Sequence, residues 1–238
     1  MNFQFKSITL KELKEVYTRK DYLFTMILNI IIFLGVGYIF SQYDTESLKK
    51  LFMEFTFMVA PPFAMWIVGF PFIREKFSDE KLLRRFEAIL TTPVSLKTVW
   101  AGKLASIFLL TYPTAILIVI IFLFIWYFLG GLNPFLVLSA PVWIMTLIIT
   151  PALPMVYAGF SSWSILRFTH PKLIQILQFL GIGGFLLVFL TSGRFIRSMG
   201  TDQIVNWPVV ACSFVGLAIL TGLMLLLMNR LDKETVTI

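Results

Sequence analysis

The sequence has a single cysteine, Cys212, among its 238 residues. One thiol cannot form a disulfide bond within the chain, and it cannot supply a cluster of thiolate metal ligands. Cys212 lies in an apolar run, so we expect a buried structural cysteine rather than a reactive one.

Histidine is equally scarce, with His170 as the one example. It precedes Pro171 and has no His, Asp, Glu or Cys neighbours at the spacing of a metal site or a catalytic group. A membrane-embedded enzyme would need such a cluster at the membrane face. We therefore expect no metal site and no catalytic residue in this chain, and we interpret His170 as a solvated loop residue.

Charge is also low, at 14% of residues, whereas 58% are hydrophobic. This apolar content exceeds what a soluble domain of the same size could bury, so we expect an integral membrane protein in contact with the lipid bilayer. The formal net charge of +7 would suit nucleic acid only if the basic residues were clustered for that purpose. We expect them instead to reflect membrane topology, with no nucleic-acid partner.

Six runs are long enough to cross a bilayer core, which needs roughly 20 apolar residues per helix. They are continuously apolar, which favours helices over the alternating strands of a barrel. The sequence therefore predicts an all-α integral membrane fold in one transmembrane domain. The predicted spans are about 22–41, 54–73, 99–128, 135–163, 172–192 and 207–229.

The basic residues are distributed unevenly between the two sides of these spans. Six spans place both termini on one side, and that side carries 16 of the 20 Lys and Arg residues. A positive-inside bias of this size predicts that both termini are cytoplasmic. The opposite side has Lys49, Lys50, Arg194 and Arg197.

The N-terminal segment predicts an amphipathic helix over about 9–20. Thr9 and Glu12 have the spacing of a capping box, and Ile8 can pack on Leu13 as a hydrophobic staple. This pattern favours a helix that lies in the membrane interface, although a generic basic flank of the first span would explain the charge equally well. The residues assigned to this interfacial connecting helix are Thr9, Glu12, Leu13, Val16 and Tyr17.

A second amphipathic helix is predicted over about 78–92, between the second and third spans. Ser78 is a favourable N-cap, and Pro93 disfavours helical angles at Thr92 and ends the element. Ser95 can then cap the third span. The apolar stripe of the predicted helix consists of Leu82, Leu83, Phe86, Ile89 and Leu90.

The stretch from Glu87 to Ser95, EAILTTPVS, followed by Gly102-Lys103, resembles the permease subunits of type 2 ATP-binding-cassette exporters. The resemblance includes the whole layout of about 240 residues, with an N-terminal connecting helix, six spans and a cytoplasmic helix after the second span. It implies that this cytoplasmic helix is a coupling helix that docks on a separate ATPase subunit. The implied docking residues are Asp79, Glu80, Lys81, Arg84, Arg85, Glu87, Thr91, Thr92 and Pro93.

The resemblance further implies a complex of two permease chains, identical or different, and two ATPase chains. Leu104 follows Gly102-Lys103, so the phosphate-binding pattern G-x-x-x-x-G-K-[ST] is not formed here, and ATP and Mg are expected in the partner subunit, with no cofactor in this chain. In the family, spans 1, 2 and 5 line the substrate path between the permeases. The residues assigned to that path or to the dimer interface are Asn29, Phe57, Met65, Gln178, Gly181 and Gly184.

The expected cargo is amphiphilic, such as a lipid, a peptide, a drug or a lipid-linked glycan, and the expected location is the plasma membrane of a prokaryote. The apolar spans carry their charges near the ends, at Glu54, Lys103 and Arg167, whereas ion-coupled transport needs ionisable groups deep in the membrane. An ion-coupled secondary transporter or a sodium-extruding permease remains the alternative, because backbone carbonyls can also coordinate a cation. A membrane-embedded enzyme is the least favoured class.

Overall fold

A computed structural model describes residues 2–43, 45–83, 94–168 and 205–231. This part of the chain is helical, and five of its helices are long and apolar enough to cross a membrane, as expected of a multi-pass membrane protein. The helices are α1 (Asn2–Tyr17), α2 (Lys20–Ser41), α3 (Glu46–Leu82, with a π-helical stretch at Arg74–Asp79), α4 (Leu96–Phe128), α5 (Pro134–Val137), α6 (Ala140–Arg167, with a π-helical stretch at Met145–Ile149) and α7 (Trp207–Asn229).

The predicted first, third and sixth spans correspond closely to α2, α4 and α7. Ser95 caps α4 as expected, because its Oγ accepts a hydrogen bond of 3.1 Å from the Thr98 backbone N–H. The predicted fifth span, 172–192, lies outside the described residues. A sixth crossing therefore stays a prediction.

The predicted fourth span, 135–163, begins too early and ends too early. Residues 134–137 form the separate short helix α5, and α6 starts at Ala140 and runs to Arg167. The chain is extended at Leu138 and Ser139, with ψ angles of 127° and 157°. Pro141 then falls in the first turn of α6, where its missing N–H is tolerated, so the new helix begins there.

The second span is longer than predicted at both ends. It begins at Glu46, so Glu54 lies two turns inside α3 and is buried, instead of marking the outer end of the span. At the other end, the prediction that Ser78 starts a new helix is wrong, because Ser78 lies in the π-helical stretch of a continuous helix. Ile73 and Asp79 both have helical backbone angles, so no extended residue is available there to serve as an N-cap.

The N-terminal helix also differs from its prediction, since α1 starts by Asn2 and ends at Tyr17. Thr9 is therefore an interior residue, and its hydroxyl donates to the Phe5 carbonyl at 2.9 Å instead of capping the helix. The buried face contains Thr9, Glu12 and Val16, while Tyr17 is 53% exposed. The face of α1 that packs against α4 is therefore partly polar.

Helix α3 is the centre of the bundle and packs against α2, α4 and α6. In the most apolar 18-residue window of α3, 61% of the residues are buried. The corresponding shares are 17% in α2 and 11% in α7, so α2 and α7 are peripheral among the described helices. Cys212 lies on α7 and is exposed, which corrects the expectation of a buried cysteine.

Candidate functional site

Charged side chains converge where α1, the end of α3 and the start of α4 meet, which we call the charged end of the bundle. Lys103 of α4 is 1% exposed. Its Nζ donates to Glu12 Oε1 of α1 at 2.9 Å and to the two carboxylate oxygens of Glu80 in α3 at 2.8 and 2.9 Å. One buried ammonium group thus joins three separate elements.

A second buried ammonium group strengthens the junction between α1 and α3. Lys76 Nζ lies 2.8 Å from Glu12 Oε2 and 3.1 Å from Glu15 Oε2. At the turn between α1 and α2, Arg19 pairs with Glu75 of α3 at 2.5 Å and with Asp21 of α2 at 2.6 Å. We call this set the charge network: Glu12, Glu15, Arg19, Asp21, Glu75, Lys76, Glu80 and Lys103.

The π-helical stretch of α3 helps to place these side chains. A π turn holds more residues than an α turn, so it changes the angular position of the side chains that follow. Within the stretch, the Arg74 side chain is 67% exposed, whereas Lys76 and Phe77 are buried. The π-helical stretch therefore contains the buried Lys76, and Glu80 follows directly after the stretch ends at Asp79.

Gly102 allows α1 to approach α4 closely. A Cβ atom at this position would lie 3.0 Å from Ile8 Cγ2 and 3.6 Å from the Phe5 carbonyl oxygen. The Thr9 hydroxyl also lies within 3.3 Å of the Gly102 carbonyl. The Gly102-Lys103 pair therefore has two structural roles. The glycine leaves room for α1, and the lysine binds the carboxylate of Glu12 in α1.

Burial makes the pairing of these charges necessary. Removing a carboxylate from water raises its pKa, but Lys103 and Lys76 beside Glu12 outweigh this effect and hold the pKa of Glu12 below its usual range. Glu12 is therefore ionised at neutral pH and binds both lysines as a carboxylate. A buried pair of this kind is sensitive to the loss of either partner, because the remaining charge is left desolvated.

Acidification is expected to release α1 only at low pH. A carboxylate with a depressed folded pKa stabilises the fold above its unfolded value of about 4.3, and this stability is lost as the pH falls through the folded value. Spin labels at Leu10→Cys and Leu23→Cys, in a Cys212→Ser background, should give one distance distribution from about pH 7 to about pH 5 and a broader one below about pH 4. Both labelled positions are exposed.

The matched variants for this measurement are Glu12→Gln and Glu46→Gln, the second at an exposed carboxylate at the start of α3. Glu12→Gln should give the broader distribution at every pH, because it lacks the carboxylate that binds Lys76 and Lys103, whereas Glu46→Gln should behave like the unmodified chain. Broadening that begins near pH 6 would contradict the assignment to Glu12.

Lys81 forms a different buried contact next to the charge network. Its Nζ donates to the backbone carbonyls of Ile165, Leu166 and Phe168 at 3.0, 2.7 and 3.1 Å, and the residue is 4% exposed. Carbonyls at a helix C-terminus have no helical partner and carry partial negative charge, which an ammonium group satisfies. Lys81 therefore fastens the end of α3 to the end of α6.

Two residues of the predicted docking surface form contacts within the chain. Glu80 pairs with Lys103, and Lys81 donates to carbonyls at the end of α6. Asp79 remains at the surface, with 46% of its side chain exposed. The other predicted docking residues lie outside the described residues: Arg84, Arg85, Glu87, Thr91, Thr92 and Pro93.

Three residues that were assigned to a substrate path or dimer interface lie inside the bundle of a single chain. Asn29 is 2% exposed, and its Nδ2 donates to the Ala64 carbonyl of α3 at 3.0 Å. Phe57 and Met65 are at most 1% exposed. Asn29 thus connects α2 to α3, and none of the three forms part of the outer surface. Gln178, Gly181 and Gly184 lie outside the described residues.

The charge network was not predicted, because its residues were each given another role. Glu12 was interpreted as part of a capping box, and Glu80 was assigned to the docking surface. One signal could have revealed the network. Lys103 falls two turns inside the apolar helix α4, where a lysine needs an acidic partner.

No protein-family model, curated protein or solved structure gives a significant match to this chain. Within the described ranges, no three His, Cys, Asp or Glu side chains are grouped so that they could hold a metal ion. The charged end of the bundle is therefore the candidate site on the basis of its geometry alone.

Proposed function

We propose that this chain is the transmembrane permease subunit of an ATP-driven exporter. The observation that carries the proposal is the charge network, which joins α1, the end of α3 and the start of α4 through Glu12, Glu80 and Lys103. These helices flank residues 84–93, the segment whose sequence resembles the coupling region of type 2 ATP-binding-cassette permeases.

The described residues on both sides of this segment are connected to the spans. Before it, α3 ends at Leu82, next to Lys81, which donates to carbonyls at the end of α6, and after it Val94 and Ser95 precede α4. A displacement of residues 84–93 by a partner would act on α3 and α4 together. The buried ion pairs would pass this displacement to α1 as well, since α1 is held by the same lysines.

In the proposed complex, ATP and Mg bind to separate ATPase subunits, and two permease chains form the path for an amphiphilic cargo. Both termini and residues 84–93 face the cytoplasm of a prokaryotic cell in this arrangement, in agreement with the uneven distribution of Lys and Arg. In this complex the chain is the subunit that receives the force produced by the ATPase subunits. It contributes no catalytic residue to ATP hydrolysis.

The direct test is purification of the tagged chain together with the ATPase subunit encoded beside it. We expect a stable complex that hydrolyses ATP and whose rate rises when an amphiphilic substrate is added. A chain that never associates with any ATPase subunit would refute the proposal.

Charge reversal in the coupling segment tests the docking site itself. The triple change Arg84→Glu, Arg85→Glu and Glu87→Lys is expected to reduce substrate-stimulated ATP hydrolysis by roughly tenfold, since like charges across an interface cost several kcal/mol. Membrane insertion should be unaffected. The matched control is Arg74→Glu, at an exposed position of the π-helical stretch. Unchanged stimulation in the triple variant would show that the ATPase docks elsewhere.

A further inference from the structure

A cavity of about 340 Å³ lies at the charged end, between α1, the start of α4 and the end of α7. It is separate from the charge network, because none of the network residues lines it. Its lining divides into two chemical parts. Ser95, Lys97 and Asn229 are polar, and Trp100, Leu225 and Met228 provide apolar walls.

The polar part is cationic. Lys97 is exposed, and no Asp or Glu is among the residues that line the cavity. Ser95 is also exposed, and its hydroxyl lies 2.7 Å from the Thr98 hydroxyl. An anionic group in the cavity would therefore meet a lysine ammonium and two hydroxyl groups without a competing carboxylate.

The apolar part has little hydrogen-bonding capacity. The Trp100 Nε1 already donates to the Ser162 hydroxyl at 2.7 Å, so its ring presents only carbon surface to the cavity. Met228 is 2% exposed and closes the wall on the side of α7. A ligand that fits must therefore be anionic at one end and apolar at the other.

The position of the cavity identifies the kind of ligand. The first turn of α4 and the last turns of α7 lie at the ends of spans, which is the depth of lipid headgroups. Leu225 lines the cavity and is 48% exposed, so the cavity borders the apolar outer face of α7. Acyl chains that leave the cavity would lie along that face.

We propose that this cavity binds one anionic phospholipid, whose phosphate pairs with Lys97 and whose acyl chains follow α7. Basic pockets between membrane helices bind lipid headgroups of this type, and each lysine near the membrane surface contributes about 1 kcal/mol. The lipid would contact α1, α4 and α7 together. Its binding is independent of the exporter function proposed above.

Native mass spectrometry of the full chain in detergent tests the proposal with phosphatidylglycerol and phosphatidylcholine as probes. We expect one retained phosphatidylglycerol and weaker phosphatidylcholine binding. Lys97→Gln should weaken phosphatidylglycerol binding about fivefold, which corresponds to ~1 kcal/mol per lysine. Lys97→Arg should keep it. Inorganic phosphate should not displace the lipid, because it has no apolar group that could pack against the apolar walls of the cavity.

The matched control is Lys20→Gln, which removes the same charge from an exposed position at the start of α2, outside the cavity. Equal losses in Lys97→Gln and Lys20→Gln would show a general attraction to the basic surface and would overturn the assignment. The proposal also fails if phosphatidylcholine binds as tightly as phosphatidylglycerol. It fails equally if the unmodified chain retains no lipid, as expected when a segment of the chain itself fills the cavity.

Discussion

Lys103→Met is expected to destabilise the chain by about 3–5 kcal/mol, because it removes the ammonium partner of the largely buried Glu80 and one of the two buried lysines that bind Glu12. Glu12 and Glu80 approach the Lys103 Nζ within 2.9 and 2.8 Å, and the lysine is almost fully buried. Thermal unfolding in detergent measures the loss. Hydrogen exchange should show the earliest opening in α1, since Lys103 is one of its main attachments to α4.

A matched variant and a rescue distinguish this effect from a general loss of charge. Lys20→Met removes an exposed lysine and should change stability by less than about 0.5 kcal/mol. Adding Glu80→Gln to Lys103→Met should restore part of the lost stability, because a neutral side chain is less costly to bury than an unpaired carboxylate, while Glu12 keeps its pair with Lys76. Similar melting of Lys103→Met and Lys20→Met would contradict the central role of this lysine.

The apolar runs of the sequence were sufficient to predict most of the architecture. Continuous hydrophobic segments indicated the helices that became α2, α4 and α7, and Ser95 was correctly identified as a cap. These features depend on neighbouring residues alone. Helix type and approximate length can therefore be predicted from a short window of sequence.

The element boundaries near the charged end could not be predicted in the same way. Thr9 and Ser78 both have the residue pattern of an N-cap, yet both lie inside helices. A cap forms only where the chain leaves helical angles, and here packing of α1 and α3 against α4 extends the helices past the local signals. Tertiary packing overrides propensity in such cases.

The charge network depends on long-range pairing that no local pattern contains. Glu12 and Lys103 are 91 residues apart in the sequence. From the sequence, each of the two residues could be placed near the end of a helix or at the membrane interface. Their contact, however, depends on the packing of α1 against α4 at Gly102. The identity of the partners is therefore a property of the fold and not of any single segment.

Lys81→Met should have the second largest effect, with a loss of about 2–3 kcal/mol. The Lys81 ammonium donates to three backbone carbonyls at the end of α6. A methionine fills similar space but leaves these carbonyls without a donor in a buried site, and hydrogen bonds that involve a charged group are the stronger kind. Hydrogen exchange should increase at the last turn of α6 and around residues 80–83.

Lys81→Arg is not expected to rescue this loss. The guanidinium group is planar and larger than an ammonium group, whereas Lys81 is 4% exposed and its ammonium group lies among three converging carbonyls. Arg74→Met is the matched control, because Arg74 belongs to the adjacent π-helical stretch but is mostly exposed. It should leave both stability and exchange at the end of α6 unchanged.

The same variant distinguishes a mechanical role for Lys81 from a purely structural one. In the proposed complex, the junction of α3 with α6 receives force from residues 84–93, so Lys81→Met should reduce transport per ATP hydrolysed even well below the melting temperature. Basal ATP hydrolysis should persist, since the proposal places the ATPase site in another subunit. If transport and hydrolysis fall together, in proportion to the folded fraction, Lys81 stabilises the bundle without transmitting the motion.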